Sequence, residues 1–281
     1  MTLADAPGTV YVVATPIGNL DDLSPRAQRV LAEVAAIACE DTRHTALLCQ
    51  RYGIATPRVS LHAHNEARRV PELLARLARG ESVALVSDAG TPLVSDPGER
   101  LVRAALDAGH AVVPVPGPSA VLAALVASGF ATRAFAFFGF LPRKGAERAR
   151  ALEALAAFPG TLVLFEAPNR AAATLRDLHA ALGGRRAALA RELTKRHETV
   201  LRGRLGELAL DELRGELTIV VEGPGEGDAA ERSEAELDAA ADRLLDSGLS
   251  ARDAAKSLAA ELGLARGAAY ARVLARRALR E

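Results

Sequence analysis

Apolar residues in the first 127 positions fall into short runs separated by longer amphipathic stretches. The runs Val10 to Ala14, Ala35 to Cys39, Arg58 to Leu61, Val83 to Val86 and Ala111 to Val115 have the length and bounding residues of strands. Helices are expected between them. From Glu66 to Arg79, for example, Val70, Leu73, Leu74 and Leu77 recur at helical spacing, and Gly80 supplies a stop. Strand and helix in alternation predict an open sheet covered by helices.

The pattern pauses from Ser128 to Arg133 and then resumes. Strands are expected at Ala134 to Phe140, Thr161 to Phe165, Ala187 to Arg191, Glu198 to Arg202 and Leu217 to Val221, with helices from Pro142 to Ala157 and near Asn169 to Leu182. Gly223 to Asp228 (GPGEGD) reads as a linker. Three helices follow, separated by Ser247 to Ser250 and by Gly263 to Gly267. The expected division is a first α/β lobe at 1–127, a second α/β lobe at 128–224, and a linker with a small all-helical domain at 225–281.

Two strand-to-helix connections exceed the roughly two to six residues usual in α/β units. The first, Thr15 to Leu23 (TPIGNLDDL), is followed by Ser24 and Pro25, an N-cap and a first-turn proline. The second, Ser87 to Ser95 (SDAGTPLVS), runs into Asp96, Pro97 and Glu99, whose spacing predicts a capping box with Asp96 as the cap. A third, Pro114 to Ala120 (PVPGPSA), brings a helix N-terminus and Ser119 to the same edge. Each loop alone reads as a turn. Three converging on the carboxyl edge of one sheet predict a ligand site. Neither Gly-x-Gly-x-x-Gly nor Gly-x-x-x-x-Gly-Lys-Ser/Thr follows the first strand, so a nucleoside-like ligand would be held by stiff loop backbone rather than by a phosphate nest.

A formal net charge of zero argues against indiscriminate coating of nucleic acid. The charge is unevenly spread, however. Between Ala131 and Arg204 there are 14 Lys and Arg against 6 Asp and Glu, and between Glu207 and Asp238 there are 11 acids against 2 bases. One cationic face is therefore expected. No apolar run reaches the roughly 18 residues of a membrane span, and the first ten residues lack the pattern of a signal peptide, which predicts a soluble, cytoplasmic protein. Cys39 and Cys49 have no metal or redox spacing and are expected as buried thiols. His62 and His64 lack a third ligand, so no metal is expected.

Six motifs occur in order: Val13 to Leu20 (VATPIGNL), Glu40 to Arg43 (EDTR), Ser87 to Pro92 (SDAGTP), Pro116 to Ala120 (PGPSA), Phe165 to Arg170 (FEAPNR) and Glu192 to Lys195 (ELTK). Over Thr9 to about Pro224 the chain thereby resembles the tetrapyrrole methylase superfamily (class III methyltransferases), and within it the branch of small-subunit ribosomal RNA methyltransferases acting on a cytidine 2'-hydroxyl in the decoding region of 16S rRNA. The resemblance implies two α/β lobes with S-adenosyl-L-methionine in the cleft between them, usually within a homodimer. Carried over by motif, the cofactor would lie against Ile17 and Gly18, then Thr91, Pro92 and Val94, then Ser119 and Ala120, with Phe165 and Ala190 from the second lobe. Tetrapyrrole enzymes generally have Gly-Asp-Pro where this chain has Gly90-Thr91-Pro92, so no carboxylate is assigned there.

A ribose hydroxyl is a poor nucleophile while protonated, so a base, or a cation stabilising the developing alkoxide, is expected beside it. Candidates are Glu40, Asp41, Arg43, His44, Glu166, Lys195, His197 and Glu198. Asp41 and Arg43, at the end of a strand, are taken as catalytic, with a loop-stabilising ion pair as the other reading. Lys195 joins them because its stretch connects two strands of the cationic lobe; an ordinary surface lysine is its other reading. Arg143, Lys144 and Arg148, clustered with Arg150, are expected to contact RNA phosphate, as are Asn169 and Arg170 unless Asn169 is a helix cap. The tail's Arg266, Arg272, Arg276, Arg277 and Arg280 are expected to add an RNA or ribosome contact, with a docking or stability role as the other reading. A precorrin C-methyltransferase and a non-catalytic ribosome assembly factor are the competing readings.

Overall fold

Side chains along a strand point alternately to opposite faces, and in the first half of the chain each face finds a different pair of helices. The computed structural model describes residues 8–208, 215–224, 234–262, 264 and 266–279. Strands β1 (Val10–Val13), β2 (Ala36–Cys39), β3 (Arg58–Ser60), β4 (Val83–Val86) and β5 (Val112–Val115) form a wholly parallel sheet in the order β3-β2-β4-β1-β5. Tyr11, Val13, Ile37, Cys39 and Val86 pack against α1 (Pro25–Glu33) and α2 (Thr42–Arg51). Their neighbours Val10, Val12, Ala38, Val83 and Leu85 pack against α3 (Glu66–Ala78) and α4 (Glu99–Asp107). Burial on both faces is why β1, β2 and β4 read as unbroken apolar runs.

Ser24 caps α1 as its sequence predicts, accepting a hydrogen bond from the Ala27 amide at 3.1 Å, with Pro25 in the first turn. The capping box expected at Asp96 does not form. The residue preceding α4 is Gly98, at φ +122°, and its amide donates to Oε1 of the buried Glu66 at 2.8 Å. A carboxylate from a neighbouring helix thus takes over the cap. Glycine is required because a Cβ here would fall 2.6 Å from Leu85 Cδ2.

The second sheet is mixed, in the order β6-β7-β10-β8-β9, built from β6 (Phe135–Phe140), β7 (Thr161–Glu166), β8 (Arg186–Arg191), β9 (Thr199–Arg204) and β10 (Leu217–Val221). Only β6 and β7 pair in parallel. One face, carrying Leu162, Leu164, Leu189, Ile219 and Val221, is covered by α6 (Gly145–Ala157) and α7 (Pro168–Leu182). The opposite face carries Val163, Ala188, Ala190 and Val220, and it receives α5 (Ala120–Ser128), the helix that follows the last strand of the first sheet. Through Val121, Ala124 and Leu125, α5 shares one apolar cluster with this face and with Ile17 from the connection after β1. All ten strands expected from the apolar runs are present, two α/β sheets with their helices, as is the helical tail.

The chain divides into two compact units, Met1–Val221 and Glu222–Glu281. In the second, α8 (Glu234–Asp246), α9 (Ala251–Leu262) and α10 (Arg266–Ala278) close on a small core of Ala241, Ala254, Leu258, Ala269 and Val273. Most of the GPGEGD linker and Arg280 lie outside the described residues. Among the described residues no helix is long and apolar enough to cross a membrane.

Replacing Gly98 with alanine combines an unfavourable φ with overpacking against Leu85. Urea denaturation is expected to show about 1–3 kcal/mol lost from the unfolding free energy; an unchanged midpoint would mean that the loop relaxes without strain.

Candidate active site in the cleft between the sheets

The three long connections are laced to one another by their own backbone. Thr15 and Gly90 exchange two hydrogen bonds, of 2.9 and 3.0 Å, and the Thr15 hydroxyl donates to the Ser87 carbonyl at 3.2 Å. Thr91 in turn donates to the Pro118 carbonyl at 3.3 Å, and Ser119 caps α5 by accepting from the Leu122 amide. These loops carry strain. Leu93 and Ser95 have positive φ, and so do Glu192 and Thr194 in the connection after β8. Such conformations cost about 1–3 kcal/mol each and persist only where surrounding contacts enforce them.

Between the laced loops and the α5 face of the second sheet lies a cavity of about 420 Å³, within the range of small-ligand sites. Ile17, Thr91, Val94, Ser119 and Ala120 line it from the first lobe, and Phe165 and Ala190 from the second. The Phe165 ring meets Phe137 edge-on at 4.8 Å and Phe140 at 5.6 Å, which fixes an aromatic wall. Gly18 and Pro92, also expected here, are not part of the lining. Pro92 is buried, and Gly18 lies so close to Lys195 that a Cβ on it would sit 2.4 Å from Lys195 Cγ.

Asp88 and Asp96, neither of them expected as a site residue, line the cavity, as do Glu166 and Glu216. Asp88 Oδ1 accepts the Asp41 amide at 3.1 Å, tying the connection after β2 to that after β4. Burial raises the pKa of Asp96 above the ordinary aspartate range, against the opposing hydrogen bond with Ser87, and Asp88 adds to the rise. Glu40 is raised too, by burial first and then by Asp88, Asp96 and Asp41. Asp96 has the spacing of a helix cap in the sequence, but Gly98 takes the N-cap position and leaves the Asp96 carboxyl at the cavity.

Asp41 and Arg43 lie elsewhere on the same edge. Asp41 caps α2, and its carboxylate holds Arg43 through bonds of 3.1 and 2.7 Å while accepting the Arg43 amide at 2.8 Å. Those hydrogen bonds hold the Asp41 carboxyl well below the usual carboxylate range. Arg43 is 91% exposed. The pair has the geometry of the loop-stabilising alternative, and neither residue lines the cavity. Lys195 is also set back from the lining. Its ammonium donates to Glu192 at 3.0 Å and to Glu216 at 2.8 Å, and Glu216 does reach the cavity. Burial works against the charge of Lys195, but bonds to Glu216 and Glu192 outweigh it, so its pKa is raised and it stays a cation.

Glu166 is buried with its oxygens committed to the Ala167 amide, the Thr174 hydroxyl and Arg170. Among the residues expected to meet RNA, Arg143, Lys144 and Asn169 are exposed. Asn169 is not a helix cap, because Ala167 precedes α7 and Asn169 sits within it. Arg148 is only 11% exposed and braces α6 to α7 through Asp177, Thr174 and the Pro142 carbonyl, so most of its donors are engaged within the fold. Arg170 is similarly engaged, by the Leu141 carbonyl and Glu166. Cys39 and Cys49 are buried free thiols. Among the described residues no cluster of three or more His, Cys, Asp or Glu has the arrangement of a metal site.

Residues 9–209 match the family model described as Tetrapyrrole (Corrin/Porphyrin) Methylases. The chain is 53% identical over 235 residues to a Xylella fastidiosa protein named "Ribosomal RNA small subunit methyltransferase I", covering 81% of this chain and 86% of that one. A Synechocystis protein of the same name is 46% identical over 268 residues, covering 94% and 96%. Among solved structures, the uroporphyrin-III C-methyl transferase from Thermus thermophilus complexed with S-adenyl homocysteine superposes with a TM-score of 0.55 at 23% identity, over 76% of this chain and 96% of that one.

Because Glu40 and Asp96 hold their protons to higher pH in the folded chain than in the unfolded one, they favour folding less as pH rises through their raised values. Asp96→Asn is therefore expected to raise the thermal unfolding midpoint at pH 7. The gain should shrink to nothing below the ordinary aspartate value of 3.8, where both side chains are neutral; a lower midpoint for the variant at pH 7 would contradict the assignment.

Proposed function

The chain belongs to the tetrapyrrole (corrin/porphyrin) methylases, and on that premise we propose that it methylates the 2'-hydroxyl of a cytidine in the 16S RNA of the small ribosomal subunit. It is a ribosomal RNA methyltransferase whose cofactor is S-adenosyl-L-methionine. Support for a ribose hydroxyl as acceptor comes from a cavity lined from both sheets, in which Asp88 and Asp96 stand beside apolar and aromatic side chains.

The donor set suits the cofactor. Ile17, Val94, Phe165 and Ala190 offer apolar surface, Thr91 and Ser119 offer hydroxyls, and Asp88 and Asp96 offer negative charge to a cationic molecule. When bound, the cofactor supplies an electrophilic methyl group on a positively charged sulfur. The work left to the protein is to hold the acceptor oxygen in line at about 3 to 3.5 Å, to exclude water and to take up one proton.

Asp96 is the proposed base. Its raised pKa brings it nearer to the proton it must accept, whereas Asp41, held far below by Arg43, is a poor acceptor. Lys195, permanently charged, positions Glu216 at the cavity wall and offsets negative charge there. Asp41 and Arg43 stabilise the neighbouring loop. Arg143, Lys144 and Asn169, exposed around the starts of α6 and α7, are assigned to the RNA backbone. A homodimer belongs to the same reading, supported by α5 leaving Leu122 and Val126 exposed; light scattering of the purified protein checks it.

The deciding experiment supplies purified small ribosomal subunits, free 16S rRNA and a precorrin as competing acceptors of labelled methyl, followed by mapping of ribose methylation. Modification of a single cytidine ribose in the subunit is expected, and transfer to precorrin alone would refute the proposal. Asp96→Asn should lower the single-turnover rate by about 10²- to 10⁴-fold. The wild-type rate should fall as pH drops through the raised Asp96 value, since the base must be ionised. For Lys195→Ala, an unchanged rate at saturating substrate would discard any part in catalysis.

A further inference from the structure

The cations of the helical tail fall into two groups. Arg272 and Arg276 bind Asp238 and Asp242, joining α10 to α8, and Arg243 pairs with Glu261. Arg277 is engaged as well. Arg272 and Arg276, partly buried in these pairs, tie the helices of the small domain together. Arg252, Lys256 and Arg266 differ: all three are exposed, and none forms an ion pair among the described residues.

The three unpaired cations border one groove of about 720 Å³, together with Asp253, Ala255 and Tyr270. Arg252 and Lys256 are four residues apart on one face of α9, and Arg266 and Tyr270 are four apart on one face of α10. The single acid, Asp253, is occupied with capping α9, because it accepts the Ser250 hydroxyl at 2.7 Å while its own amide donates to Ser250 at 3.2 Å. Tyr270 is 45% exposed and presents an aromatic surface beside the charges. Arg252 and Arg266 lie in the first turns of their helices, where the macrodipole disfavours positive charge. Helix stability therefore does not explain them.

We propose that this groove binds a single-stranded segment of RNA, with Arg252, Lys256 and Arg266 on successive phosphates and a base stacked on Tyr270. The proposal rests on the ribosomal RNA reading given above and adds to it a second contact, borne by the tail. Cations interleaved with an aromatic ring are the chemistry of single-strand binding, in which stacking is indifferent to sequence and phosphate contacts make affinity fall with salt. An acidic peptide satisfies the cations but makes no use of the ring.

The test uses the full chain and a short labelled single-stranded RNA of mixed sequence, titrated at several salt concentrations. Combined Arg252→Ala, Lys256→Ala and Arg266→Ala substitution is expected to weaken binding at least tenfold at low salt. It should also reduce the slope of log affinity against log salt by about 2. Tyr270→Ala should weaken binding with the slope unchanged, and Tyr270→Phe should restore it. An unaltered slope in the triple variant, or displacement of the RNA by polyglutamate of equal charge, would overturn the proposal. Helical circular dichroism and thermal unfolding of each variant, matched to the wild type, separate this outcome from misfolding of the tail. Failure of the ribosomal RNA reading shows itself differently, as an absence of methyl transfer to subunits by a wild-type protein that still binds the RNA through the groove.

Discussion

The seating of α5 on the second sheet is the contact on which the rest of the first unit depends. The helix leaves the last strand of one sheet and buries Val121, Ala124 and Leu125 against Val163, Ala188, Ala190 and Val220 of the other. Small side chains on β8 allow the helix backbone to come close. Larger residues there would hold the helix off the sheet and open the cluster to water, because interiors are close-packed and do not absorb added volume. With α5 in place, its capped N-terminus, the laced loops and the aromatic wall are brought to one cavity. The geometry of the cleft is therefore a consequence of core packing.

Stability has been given up inside that cleft. Four non-glycine residues with positive φ lie in the two connections beside it, and the Asp96 carboxyl in its lining is buried enough to resist ionisation. None of this favours folding. The surrounding network resists relaxation: Thr15 with Gly90, Thr91 with Pro118, and Glu66 with Gly98 fix the loop from both ends. Rigid backbone of this kind suits methyl transfer, where alignment of two atoms matters more than any covalent participation by the protein. Away from the cleft the charges behave otherwise. Arg148, Arg170, Arg272 and Arg276 are spent on joining helices and loops, so a count of basic residues overstates the surface offered to RNA.

What could be read from the chain, and what could not, follows from the range of the forces involved. Strands buried on both faces declare themselves as unbroken apolar runs, and amphipathic helices declare themselves by their spacing, because each residue's environment is set by the periodicity of its own element. The convergence of the three connections was legible for the same reason, since parallel strands put their carboxyl ends on one edge. Chain order and local propensity thus determined the two α/β sheets, the helical tail and the loops that face the cavity.

Tertiary structure decided which charged groups are free. Asp96 follows the spacing of a capping box, yet Glu66, 32 residues earlier in the sequence, supplies the oxygen that accepts the Gly98 amide, and Asp96 turns to the cavity instead. Lys195 is held by Glu216, 21 positions away, and Arg148 by Asp177, 29 positions away. A titratable side chain takes its protonation and its availability from whatever the fold places within a few ångströms. Coulombic attraction and desolvation act through space without regard to sequence separation, so no local pattern records their outcome.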